Sequence, residues 1–217
     1  MNTMTGKRAA TMLGAAVLAI TLAGCGSGSW TNPTTPTPTS TGAPTPTPIE
    51  TQHTDADPAD VRTWTITAQG MGPVQLDELF ADAVAGVPTW TVDQNCTWAA
   101  FTNDQTTGVT AYFARNSEVS DGNVTTIDVE STGDTVKPAD GPRTADGLGL
   151  GSTRDEVLAA HPDAAEQKQT IGDGALLRVG PAGPGQGAIF FSFRAGESTV
   201  SAVTVTLRDE PPYEVCG

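Results

Sequence analysis

Positive charge is scarce in this sequence. The 217 residues include 11 Lys and Arg against 25 Asp and Glu, which gives a formal net charge of −14 at pH 7. A protein that binds nucleic acid needs clustered Lys and Arg to neutralise phosphates, so nucleic acid is excluded as an expected partner. An acidic surface either keeps the protein soluble or binds a cation such as Ca²⁺, and the sequence leaves both readings open.

Histidine and aromatic residues are also few. The chain has two His, and aromatic residues make up 6% of it. His161 stands directly before Pro162, where the end of a helix is the expected role. His53 lies beside the acids Asp55, Asp57 and Asp60, which we interpret as solvated because a loop metal site needs more oxygen ligands and a Gly turn. No residue is therefore assigned as a metal ligand.

Several catalytic motifs are missing from the sequence. It contains no Gly-x-Ser-x-Gly, no pair of His at metal-binding spacing and no phosphate-binding loop that ends in Gly-Lys. With 25 acids, a pair of carboxylates that could perform acid–base chemistry cannot be singled out. We therefore predict no catalytic residue and no cofactor, and a protein that is not an enzyme.

The N-terminus has the layout of a targeting segment. Lys7 and Arg8 precede an apolar run, Ala9–Leu22, that is short for a membrane span and typical of a secretory signal. The run ends in Leu22-Ala23-Gly24-Cys25. This phrase resembles the lipobox of bacterial lipoproteins. The resemblance implies that residues 1–24 are a signal peptide and that Cys25 carries fatty acyl chains such as palmitate.

The expected location follows from this anchor. Loss of residues 1–24 removes Lys7 and Arg8 and no acid, so the net charge falls from −14 to −16. Anionic headgroups repel such a protein, so the acyl chains on Cys25 must hold it at the membrane. We expect a lipid-anchored protein on the extracytoplasmic face of the cell membrane.

Residues 25–60 are predicted to form a disordered linker. Pro and Thr alternate through much of this segment, and Pro removes backbone donors and fixes φ. A polyproline-like chain rises near 3.1 Å per residue, so about twenty residues reach on the order of 60 Å. The segment is either a bare spacer or an O-glycosylated stalk.

The remainder contains an internal repeat. Thr67–Gly72 matches Thr144–Gly149, and the phrase Asp77-Glu78-Leu79 matches Asp155-Glu156-Val157. Two further matches, residues 111–115 with 190–194 and residues 124–129 with 200–205, follow in the same order at similar spacing. We therefore predict two copies of one unit, residues 61–135 and 136–217.

Each unit is predicted to contain a helix followed by strands. The first helix is expected over Leu76–Val84 from its apolar stripe, and the second over Thr153–His161 from the capping box Thr153–Glu156. Strands are expected over residues 63–67, 97–101, 109–115, 124–130, 175–179, 188–194 and 199–207. The predicted fold class is α+β, as two tandem helix-plus-antiparallel-sheet repeats.

This plan resembles the β-lactamase-inhibitor-like fold and the small envelope lipoproteins of outer-membrane assembly. The phrase Gly151-Ser152-Thr153-Arg154-Asp155-Glu156-Val157 is similar to the helix start Gly-x-Thr-x-x-x-Val of those lipoproteins. The inhibitor's disulfide within each repeat has no counterpart here, so no inhibitory residues are transferred. The resemblance implies a binding module more than an enzyme.

The remaining cysteines predict one disulfide. With Cys25 lipidated, Cys96 and Cys216 are left, and an even pair outside the cytoplasm is typically bonded. This bond would tie the C-terminal tail to the first unit.

The sequence is compatible with three functions. The first is an extracytoplasmic binding or interaction module whose partner is an envelope protein or a small-molecule ligand; an apolar groove where the units join would favour it. The second is a structural or assembly lipoprotein of the envelope, favoured by a flat acidic surface. The third is an enzyme acting on wall material, favoured by a buried carboxylate pair in a cleft.

Overall fold

The computed structural model describes residues 56–117, 120–132, 137–181 and 185–216. The predicted signal peptide, Cys25 and the linker up to residue 55 lie outside the described residues. Among the described residues, no helix has the length and apolar character that crossing a membrane requires. Ala56 packs against the hydrophobic core, and Asp57 and Asp60 belong to the turns that lead into the first strand.

Strands dominate the described part of the chain, and they form two sheets. The small sheet has the strand order β3-β2-β1-β8, and the large sheet has the order β4-β5-β6-β7-β12-β11-β10-β9. The strands are β1 (Thr65–Thr67), β2 (Gly70–Met71), β3 (Val74–Gln75), β4 (Thr91–Val92), β5 (Ala99–Asp104), β6 (Val109–Arg115), β7 (Val124–Ser131), β8 (Arg143–Thr144), β9 (Ala165–Lys168), β10 (Ala175–Val179), β11 (Ala188–Phe193) and β12 (Ala202–Thr206). The helices are α1 (Phe80–Gly86) and α2 (Arg154–Ala160), with 3₁₀ turns at Val61–Thr63 and Pro138–Asp140.

The predicted α+β class of tandem helix-plus-sheet repeats is therefore wrong, and the fold is β-rich. Both helices have only seven residues. The first was expected to begin at Leu76, but the backbone of residues 77 and 78 pairs with Val124 at the start of β7. Asp77 has a φ of 66°, and Leu79 is extended. Since these residues form bonds to a strand, they cannot also form the first turn of a helix.

The start of the second helix follows the sequence signal closely. The Thr153 side chain accepts a hydrogen bond from the Glu156 amide, and the Glu156 carboxylate accepts one from the Thr153 amide. This reciprocal pair is the predicted capping box, and it is confirmed. The helix ends at Ala160, with His161 as its C-cap just before Pro162.

The large sheet consists of two antiparallel meanders that join at β7 and β12. Strands β4–β7 form one meander and β9–β12 form the other. At the junction, Val203 lies opposite Val129 and Val205 lies opposite Ile127. One continuous sheet of eight strands results, although residues that face each other at the junction are separated by more than 70 positions in sequence.

One face of this sheet holds the main core. Phe113, Val129 and Val203 lie on that face and are fully buried. Both short helices and the small sheet cover them, and three rings, those of Trp64, Trp90 and Phe113, lie in succession with centroids 5.4 Å apart. Burying several aromatic rings of this size provides much of the hydrophobic stabilisation of such a core.

A glycine lets the small sheet approach this core. Gly72 has a φ of 57°, and a Cβ atom at that position would lie 2.3 Å from the Trp64 ring. No other residue type fits both the backbone conformation and the space. Within the repeated segment Thr67–Gly72, the turn thus lies at Gly72, whereas Gly70 belongs to β2.

Candidate functional site

The second face of the large sheet carries polar and aromatic side chains. Side chains alternate between the two faces along each strand, so the neighbours of core residues point to this second face. One row crosses the sheet in register and consists of Phe101, Tyr112, Asp128, Thr204 and Phe190. Directly opposite residues on neighbouring strands are close enough for their side chains to interact. The row therefore places a carboxyl group between a phenol and a hydroxyl.

The last ten described residues, Leu207–Cys216, lie over this face, and we call them the C-terminal strap. Near its start, Glu210 accepts hydrogen bonds from the amide and hydroxyl of Thr170, between β9 and β10. At its end, the carbonyl oxygen of Val215 accepts a hydrogen bond of 2.6 Å from the Trp98 indole, beside β5. The strap thus has attachments near both outer parts of the large sheet.

Cys96 and Cys216 form a disulfide that fixes the end of the strap. Their Cα atoms are 5.5 Å apart, and the bond closes a loop of 120 residues in sequence. Cys96 is buried with Ala99 and Ala114, and Val215 packs against this small cluster. The two cysteines singled out from the sequence are therefore bonded in the structure, and their bond ties the end of the strap to the residues before β5.

A groove of about 730 Å³ lies between the strap and the second face. Its apolar lining includes Phe101, Tyr112, Ile171, Leu176 and Tyr213. Its polar lining includes Asp128, Glu130, Thr204, Arg194 and Arg208. A concave surface of this size with aromatic walls and a few convergent polar groups is typical of a ligand site.

A second groove of about 620 Å³ adjoins the strap as well. It shares Arg208, Pro212, Tyr213 and Val215 with the first groove. Its other lining includes Trp98, Arg115 and Thr125, so it lies near the strap's disulfide end. We take the first groove as the candidate site because it contains the buried carboxyl group.

Asp128 is the buried acid of the groove. Its side chain is 5% exposed, and Thr204 donates a hydrogen bond of 2.5 Å to Oδ2. Within the described residues, Oδ1 accepts no hydrogen bond. Burial raises the pKa of Asp128 to about 7; the Thr204 hydrogen bond opposes this rise and the charge of Glu130 adds to it. The group can therefore hold or release a proton near neutral pH.

The pKa values of two neighbours of Asp128, Tyr112 and Glu130, are also raised, and nearby charges affect them differently. Burial raises the pKa of Tyr112, and the negative charges of Asp128 and Glu130 raise it further, so the phenol keeps its proton. Burial also raises the pKa of Glu130, and the charge of Arg194 opposes this. Arg194 donates a hydrogen bond to the Ser131 carbonyl and lies 4.0 Å from the Glu197 carboxylate.

The other residues that the sequence singled out lie elsewhere. Cys25 and His53 are outside the described residues. His161 lies 3.0 Å from the Asp146 carboxylate, at the end of α2. Asp60 accepts hydrogen bonds from Arg62 at a 3₁₀ turn. In the described part of the chain, no group of three or more His, Cys, Asp and Glu side chains could hold a metal ion.

Sequence reasoning missed Asp128 as a site residue. The segment from Thr126 to Glu130 alternates in polarity, which places Asp128 and Glu130 on a face expected to meet solvent. The strap forms the other wall of the groove that Asp128 lines, but its Pro-Pro segment gives no sequence signal of where it lies. The one available signal is Thr-x-Thr in β12, which indicates a polar face on a second strand.

Comparisons of the chain with protein-family models, with curated proteins and with solved structures find no match.

Proposed function

We propose that this protein is a lipid-anchored extracytoplasmic binding protein whose ligand lies in the groove between the C-terminal strap and the large sheet. One observation carries the proposal, namely the nearly buried Asp128, which lines a groove with aromatic walls. A buried carboxyl group with one hydroxyl partner costs folding free energy, and a ligand that pairs with it would offset that cost.

The anchor is part of the same proposal. The lipobox-like phrase that ends at Cys25 supports a membrane attachment, and the Pro/Thr-rich segment supports a spacer between the membrane and the folded part. The groove also lies where the two meanders join, because Asp128 and Thr204 belong to β7 and β12. This placement favours a binding module over an assembly lipoprotein, for which a flat acidic surface was expected.

The experiment that tests the binding function is a ligand screen by NMR on the folded part with its disulfide intact. The library should contain small molecules of positive, neutral and negative charge. We expect chemical-shift changes from binders to cluster at Tyr112, Asp128 and Thr204. Binders that map only to other surfaces, or no binders at millimolar concentration, would contradict the proposal.

A matched pair of variants makes this test specific. Ala202 lines the groove between Glu130 and Ser192, so Ala202→Trp should fill the groove and abolish binding. Ala81 is exposed on α1, away from the groove, so Ala81→Trp should bind as the wild type does. Equal binding by both variants would show that the groove is not the site.

One observation favours a second function, the acid-catalysed hydrolysis of wall material. Asp128 and Glu130 lie two residues apart on the same face of β7, and the pKa of Asp128 is raised to about 7. A carboxylic acid that is protonated near neutral pH is what a general acid requires. Turnover of wall fragments that is lost in both Asp128→Asn and Glu130→Gln would support this function, and binding without turnover would exclude it.

A further inference from the structure

We propose that the groove selects a ligand with an organic ammonium group on an apolar body, and this inference rests on the proposed binding function. The ammonium group would lie against the Asp128 carboxylate and the face of Tyr112. The apolar body would lie between Phe101 and the strap.

Oδ1 of Asp128 accepts no hydrogen bond within the described residues. The side chain is 95% buried, and Thr204 supplies its one hydrogen bond within the described residues. A carboxylate that is removed from water is stable only when an opposite charge or several donors pair with it. In the described structure no cation is bonded to it, so a cationic ligand is the group that would complete this site.

Two aromatic rings lie in the same row as Asp128. Tyr112 lies directly opposite Asp128 on the neighbouring strand, and Phe101 lies opposite Tyr112 with their ring centroids 5.9 Å apart. Aromatic faces attract ammonium groups, and the attraction grows where water is excluded. Carboxylate and ring together therefore form a pocket that recognises an ammonium ion with an attached apolar group.

Charge around the groove favours the same ligand. Glu130 lies on β7 beside Asp128, and Asp209 and Glu210 line the groove from the strap. Arg194 and Arg208 also line it, so four acids, Asp128 included, face two arginines. Arg194 is bonded to the Ser131 carbonyl and lies 4.0 Å from Glu197. The formal charge of the whole chain is −14, which draws cations toward the protein from a distance.

A metal ion fits the groove less well than an organic cation. Ca²⁺ takes six to eight oxygen ligands, typically including several carboxylates. No group of three or more His, Cys, Asp and Glu in the described residues could serve as such a site. An ammonium group needs fewer acceptors and gains from the rings, which contribute nothing to the coordination of Ca²⁺.

The experiment compares three probes that share a phenyl group and differ in charge. They are 2-phenylethylammonium, 2-phenylethanol and 3-phenylpropionate, each titrated into the disulfide-bonded protein at pH 8 by calorimetry and NMR. We expect the ammonium probe to bind in the groove at least tenfold more tightly than the alcohol, and the carboxylate probe to bind more weakly still.

Variants and pH add independent readouts. Asp128→Asn should reduce the affinity for the ammonium probe at least tenfold, whereas Asp163→Asn, at an exposed turn, should leave it unchanged.

Because the ammonium ion binds the ionised carboxylate, its affinity should rise about tenfold from pH 6 to pH 8. The other titratable or charged groups that line the groove with Asp128 are Glu130, Tyr112, Arg194, Arg208, Asp209, Glu210 and Tyr213. The rise should be absent in Asp128→Asn.

The outcomes separate this inference from the proposed function. If the alcohol or carboxylate probe binds in the groove as tightly as the ammonium probe, the inference fails while groove binding stands. If the ammonium probe binds but its affinity is unchanged in Asp128→Asn, whose melting temperature verifies folding, the inference also fails. If neither these probes nor the library bind in the groove, both proposals fail.

Discussion

Asp128 links the chemistry of one residue to the stability of the whole protein. Its pKa is about 7 in the folded protein against an ordinary value of 3.8, because burial disfavours the charged form. Between these two values the folded state holds more protons than the unfolded state, so stability falls as the pH rises. The contribution is fully present below pH 4 and is lost as the pH rises through about 7. The integrated effect is on the order of 4 kcal/mol.

Because the raised pKa of Asp128 lowers stability as the pH rises, we expect Asp128→Asn to weaken this pH dependence. The variant removes the titrating group, so its melting temperature should change less between pH 5 and pH 8 than that of the wild type. At pH 8 it should be at least as stable as the wild type, because no charge is buried. Thermal unfolding across this range measures the effect, with Asp163→Asn as the control. A variant whose pH dependence matches that of the wild type would contradict the assigned pKa.

At the scale of single elements, the second helix depends on its cap. Thr153 and Glu156 satisfy two amides that the helix itself leaves without partners. Thr153→Ala removes the acceptor for the Glu156 amide, and we expect a loss of about 1 kcal/mol in the free energy of unfolding. Thr153→Ser retains the hydroxyl and should lose much less. Urea unfolding of the three proteins measures the difference; equal losses in both variants would show that the methyl group, and not the cap, matters.

Local signals predicted the elements unevenly. The capping box located α2, and the strand signals located β6, β10 and most of β7, because these features depend on residues that are close in sequence. The stripe from Leu76 to Val84 misled, because residues 77–79 bond to β7 and its approach, more than 40 positions away. Strands of two residues, such as β2 and β4, have too few residues to show a period of two.

The candidate site was less predictable than the fold. Asp128 was recognisable as a strand residue, but nothing near it in sequence indicates burial. The groove that Asp128 lines depends on the strap, which is about 80 positions away and is fixed by contacts with Thr170, Trp98 and Cys96. The pairing of Cys96 with Cys216 gave the one long-range constraint that the sequence offered.

At the scale of the whole molecule, the disulfide holds the strap over the groove. In the chain-entropy model a closed loop of 120 residues contributes about 5 kcal/mol. Replacing both Cys96 and Cys216 by Ala should therefore lower the melting temperature markedly and expose residues 208–216 to protease. Limited proteolysis with mass spectrometry locates the cuts. Strap cleavage at the wild-type rate would show that Glu210 and Val215 hold the strap without the disulfide.

The proposed lipid anchor at Cys25 would also act at the scale of the whole molecule. We predict that the wild-type protein is found in the membrane fraction, and that Cys25→Ala is released or remains as an unprocessed precursor. Metabolic labelling with a fatty-acid precursor tests this directly. Label that is absent from the wild type, or equal in Cys25→Ala, would contradict lipidation at this residue.

The junction of β7 with β12 determines the order in which the molecule can be completed. β7 is synthesised about 70 residues before its partner β12. Until β12 is synthesised and paired, β7 and β11 each expose an edge with free backbone groups, to which strands of other chains could hydrogen-bond. Contacts this distant in sequence also slow folding, because a long loop must close before they form. The last fifteen described residues, Ala202–Cys216, therefore pair with the two open edges and form one wall of the groove, so a chain that lacks them is expected to aggregate and to have no groove.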